Sequence, residues 1–125
     1  MTIDEIKQCV ENQLSPCRFK HTLGVAEIAE DLAVIYGIDV EKAVVAALLH
    51  DVAKEFSVDE KRQFCESYGL ILDEYLERNI HLMHGNIGAY IAKQQYDIQD
   101  EDVLNAIANH TLGRNNMSGL EKIIY

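Results

Sequence analysis

Seven consecutive apolar residues, Ala43 to Leu49, run straight into the pair His50-Asp51. A helix made from that run is apolar all round, so it belongs at the centre of a fold and not on its surface. The pair then sits at the end of the buried helix, where an unpartnered carboxylate is costly unless it is hydrogen-bonded, paired or bound to a cation. Lys54 is the only nearby counter-charge in sequence.

Helix signals recur along the rest of the chain. Thr2, Ser57 and Ser118 are each followed three residues later by Glu5, Glu60 and Glu121, the spacing of a capping box, and Ser15-Pro16 places a cap before a first-turn proline. Asp39 and Asp100 supply two more caps, while Gly37 and Gly69 close periodic segments. These signals predict helices over 2–14, 16–36, 39–54, 57–68, 72–79, 82–96, 100–110 and from Ser118 onward. No segment alternates with period two. The expected fold class is therefore all-α, a single helical bundle with short connections. At 125 residues, with one proline and no repeat or linker-like stretch, one domain is expected.

The net charge of −10 opposes sequence-independent nucleic-acid binding and anionic membranes, so neither is an expected partner. The longest apolar run falls far short of the roughly 20 residues that cross a bilayer. The acidic opening of the chain is unlike a signal peptide, and a soluble cytoplasmic protein is expected. Cys9, Cys17 and Cys65 lack the paired spacing of a zinc-thiolate site or a disulfide framework, and read as reduced packing residues. A small polyanion remains an allowed ligand, because bound cations invert the local potential of an acidic protein.

Three further histidines fall on apolar helical stripes: His21 with Val25, Ile28 and Leu32; His84 with Ile87 and Ile91; His110 with Val103, Ala106 and Ile107. All three are expected to face inward. One inward histidine is ordinarily a hydrogen-bonded core residue, but four with an interior Asp are satisfied jointly by a metal. Imidazole and carboxylate ligands without thiolate suit iron, manganese or zinc in a site with open positions. His81, claimed by no stripe, reads as a capping or surface residue.

These residues carry a resemblance. His21 with the pair His50-Asp51 is similar to the pattern of HD-domain metal-dependent phosphohydrolases. The segments Lys20–Val25, Ala46–Lys54, His84–Tyr90, Asn109–Arg114 and Met117–Tyr125 resemble the bacterial symmetrical bis(5′-nucleosyl)-tetraphosphatases within that superfamily. The resemblance implies an HD bundle in which His21, His50 and Asp51 bind a catalytic divalent metal, most readily iron, with manganese and zinc as alternatives. It leaves His84 and His110 two roles, a second metal or the substrate phosphates. It implies hydrolysis of diadenosine tetraphosphate to two ADP, a nucleotide substrate, and an oligomeric state in which a homodimer is allowed. The family pattern continues past Tyr125 into Leu-Ala-Asp, so residues 1–125 are expected to be an HD domain truncated at its C-terminal end and short of one metal carboxylate.

Within this reading Asp51 is expected to ligate the metal and orient the attacking water. Lys54, three residues on, is expected to share its helical face and assist catalysis at a phosphate oxygen. Arg18, Thr111 and Arg114 complete the expected phosphate-binding set with Lys54, His84 and His110. Two alternatives stand beside it: an HD phosphohydrolase acting on another nucleotide, and a non-catalytic metal- or nucleotide-binding helical module.

Overall fold

A computed structural model describes residues 1–125 and contains eight α-helices and one 3₁₀ turn, without strands. They are α1 (Ile3–Gln13), α2 (Pro16–Tyr36), α3 (Val40–Leu49), α4 (Val58–Ser67), α5 (Glu74–Arg78), the 3₁₀ turn Ile80–Met83, α6 (His84–Gln95), α7 (Glu101–Ala108) and α8 (Gly119–Ile124). The capping boxes at Thr2, Ser57 and Ser118 form in full. Ser15, Asp39 and Asp100 accept hydrogen bonds from the first-turn amides of their helices. Gly37 and Gly69 end α2 and α4 with φ near +68° and +67°, the left-handed region that favours glycine.

Helix α3 is the axis. Every residue from Ala43 to Leu49 is buried, and α1, α2, α6, α7 and α8 all pack against it. No helix is long and apolar enough to cross a membrane. Phe56, Phe64, Tyr68 and Tyr90 form an aromatic cluster over α4 and α6, consistent with aromatics used for packing. Of the three free cysteines only Cys65 is buried; Cys9 and Cys17 lie on the surface.

Two expectations are corrected. First, α3 stops at Leu49 instead of running to Lys54. From there the backbone turns through tighter bonds, Val52 to the Leu49 carbonyl and Lys54 to the Asp51 carbonyl, three residues back instead of four. Second, α2 packs through Thr22, Ala26, Ala29 and Ala33, not through the stripe of larger residues. Small side chains let α2 approach α3 closely, and Ile28 is left 61% exposed on the flank. His21 therefore lies beside the interface and not within it.

The crossing of α6 and α7 is equally close. A Cβ on Gly85 would stand 2.9 Å from the Ala108 carbonyl oxygen, 3.1 Å from that of Ile107 and 3.3 Å from the His110 ring. The absence of a side chain at Gly85 is what brings His84 on α6 up to His110 beyond the end of α7.

Candidate metal centre

Asp51 lies at the floor of an open cleft of about 390 Å³ lined by Arg18, His21, His50, Lys54, His84, His110 and Thr111, with Val25, Ile124 and Tyr125 as its apolar wall. Its two carboxylate oxygens divide the surrounding groups between them. Oδ2 faces His50 Nε2 at 3.2 Å, His21 Nε2 at 3.6 Å and Arg18 NH1 at 3.3 Å. Oδ1 faces His110 Nε2 at 3.4 Å and His84 Nε2 at 3.6 Å. Two sets of ligand atoms, each within 4.8 Å of one another, thus share one aspartate: His21, His50 and Asp51, and Asp51, His84 and His110.

The rings are oriented by one repeated local device. Nδ1 of His50 donates to the Ala47 carbonyl at 2.5 Å, that of His84 to the His81 carbonyl at 2.9 Å, and that of His110 to the Ile107 carbonyl at 2.7 Å. A carbonyl can only accept, so each Nδ1 carries the hydrogen and each Nε2 presents a lone pair when the ring is neutral. Those lone pairs converge on a carboxylate, and the Nε2 atoms of His84 and His110 stand only 3.0 Å apart. Such an arrangement repels itself unless protons or cations lie between the groups.

Burial decides against protonating His84: it pushes the ring down to about 4, with the charge of His110 acting in the same direction against the bond to His81. For Asp51, burial pushes the carboxyl upward, but His110 and His50, which donate to it from Nε2 when they carry a second proton, outweigh burial and hold the group well below the usual carboxylate range. A neutral buried imidazole beside an ionised carboxylate is a ligand set for a divalent cation. The donor chemistry fits.

The HD domain family matches residues 18–125. The chain belongs to the HD-domain family. Among its HD-domain relatives, the symmetrical bis(5′-nucleosyl)-tetraphosphatase of Bacillus subtilis (strain 168) is 40% identical over all of this chain, which covers 67% of that protein. The enzyme of the same name from Halalkalibacterium halodurans is 45% identical over 94% of this chain and 63% of its own. A crystal structure of a Clostridium acetobutylicum protein, described as a predicted HD superfamily hydrolase involved in NAD metabolism, superposes with a TM-score of 0.95. It is 46% identical and covers all of this chain, which spans 66% of it. The HD-domain chain described here thus spans about two thirds of the length of these relatives.

Residues expected at the site are not all placed alike. His21, His50, Asp51, His84, His110, Thr111, Arg18 and Lys54 meet in the cleft, and Thr111 Oγ1 lies 3.2 Å from His84 Nε2. His21 is at the mouth, its side chain 50% exposed, instead of facing inward. Lys54 reaches the cleft from the turn after α3 and not from a helical face shared with Asp51. Arg114 lies outside the cleft lining, its guanidinium held by Glu121. His81 is exposed and contributes only its carbonyl. Glu121 is the residue sequence reasoning passed over: its capping-box spacing was legible, but its near-complete burial was not.

Proposed function

We propose that this protein is a metal-dependent phosphohydrolase that splits dinucleoside tetraphosphates symmetrically, diadenosine tetraphosphate giving two ADP. The observation that carries the reading is the division of Asp51 between two groups of imidazoles at the floor of an open cleft. The names of the relatives supply the substrate class.

His21, His50 and Asp51 would hold one divalent cation and Asp51, His84 and His110 a second, with iron the first choice and manganese or zinc the alternatives. Such cations lower the pKa of coordinated water toward ~7 and act as Lewis acids on phosphoryl oxygens. The chain's own residues do the rest. Asp51, ionised throughout, orients the attacking water as a hydrogen-bond acceptor. Arg18 and Lys54 present positive charge to the polyphosphate, and Thr111 offers a hydroxyl beside His84. Water adds to an inner phosphorus, the bond from that phosphorus to the central bridging oxygen breaks, and each half leaves as a nucleoside diphosphate.

Incubation of metal-loaded protein with diadenosine tetraphosphate is expected to release ADP alone. Formation of AMP with ATP would reject symmetrical cleavage. Elemental analysis after anaerobic purification identifies the cation. A second reading, a nucleotide related to NAD as substrate, is favoured by the description of the Clostridium acetobutylicum relative. Faster turnover of NAD than of diadenosine tetraphosphate would select it.

A further inference from the structure

Glu121 is only 1% exposed, yet it does not line the cleft. Arg114 grips it bidentately, Nε to Oε2 at 2.8 Å and NH2 to Oε1 at 2.6 Å. Oε2 also accepts from Asn109 Nδ2 at 3.4 Å, and Oε1 from the Ser118 amide at 3.4 Å. Ser118 Oγ in turn donates to Asp102 on α7 at 2.5 Å. One buried carboxylate therefore ties together the beginning, the middle and the end of the segment from Asn109 to Ser118. That segment carries His110 and Thr111, and its own backbone contributes the turn bond from Gly113 to Asn109 at 2.8 Å.

We propose that Glu121 is a positioning residue: by clasping Asn109, Arg114 and Ser118 it holds the Asn109–Ser118 segment closed, so that His110 and Thr111 meet Asp51 and His84. Arg114 belongs to this clasp and not to the phosphate-binding set, because its Nε and NH2 donors are already committed. The inference rests on the reading that His110 faces a cation, and its reach is limited to the Oδ1 side of Asp51. His21 and His50 sit on α2 and at the end of α3, which Glu121 does not tie.

The test uses the full chain as wild type, Glu121→Gln, Arg114→Lys and the double variant. In metal-free protein, imidazole nitrogen and carbon-bound proton resonances of His110 are expected to move in each single variant, while those of His21 and His50 stay in place. In cobalt(II) titrations followed by calorimetry, the ion held by His84 and His110 is expected to weaken by about tenfold or more, as when groups supporting a metal-bound histidine are removed. The other ion is unaffected, and the double variant is no worse than the worse single one. Arg114→Lys guards against a Glu121→Gln that fails to fold. Unmoved His110 resonances, equal weakening of both ions, or additive losses in the double variant would overturn the clasp. So would weaker pyrophosphate binding by Arg114→Lys with His110 unmoved. Uptake of fewer than two cobalt ions by wild type would count against the two-ion reading alone, since the metal-free spectra decide the clasp independently.

Discussion

Around Asp51, two of the three groups facing Oδ2, His21 and Arg18, are mounted near the surface, whereas both groups facing Oδ1, like His50 at the end of α3, are mounted in the core. His21 is half exposed on the flank of α2, next to a partly exposed Arg18. His84 and His110 are only 3% and 9% exposed, and are pressed together where α6 meets α7 at Gly85. The difference separates two duties. The outer side is open to solvent; the inner side is preorganised by packing before any ligand arrives.

The comparison can be broken at its shared member. Asp51→Asn removes the charge common to both sides and is expected to abolish uptake of both cations, with turnover falling to background. His21→Ala, by contrast, sheds only the outer cation. Elemental analysis of the two variants checks both statements, and equal metal content in wild type and Asp51→Asn would remove the basis of the centre.

Acid should sharpen the contrast in metal-free protein. His84 has a folded pKa pushed down to about 4 from an ordinary 6.5. The unfolded chain therefore takes up the proton first, and stability is complete above pH 6.5 and lost as pH falls toward 4. The loss is up to about 3 kcal/mol from this group. His84→Gln is expected to flatten that part of a urea-derived stability profile. A smaller effect is expected from Gly85→Ala. Its methyl meets backbone carbonyl oxygens, not a flexible side chain, and forcing the helices apart costs about 1–3 kcal/mol. Denaturant melts measure the cost, and metal titration should show the inner cation weakened more than the outer. Smallest of all, His81→Ala keeps the carbonyl that orients His84, and metal content and melting temperature are expected to stay at wild-type values.

Helix positions were legible in the sequence wherever a cap fixed them, because Thr2, Ser57, Asp100 and Ser118 act on amides two or three residues away. The packing face of α2 was not. Hydrophobic periodicity favours large side chains such as Ile28, while a close helix pair selects small ones such as Ala26 and Ala29. The end of α3 was hidden for a related reason: the apolar run does not say where backbone bonds shorten from four residues to three. Of the site, His50, Asp51, His84 and His110 were legible as polar groups embedded in apolar runs, whereas the same reasoning turned His21 inward when it sits at the cleft mouth. The partnership of Arg114 with Glu121 was not, because a charged pair flanking a loop has no signature that distinguishes it from solvated surface.

The tether from each Nδ1 of His50, His84 and His110 to its own preceding turn has a chemical corollary. With one ring nitrogen already spoken for, a hydrogen ion arriving from solution has a single landing place, the same atom a divalent ion requires. Lowering the pH should therefore strip the cage by filling the same atoms the divalent ion needs, while the tethers that aim the rings stay in place.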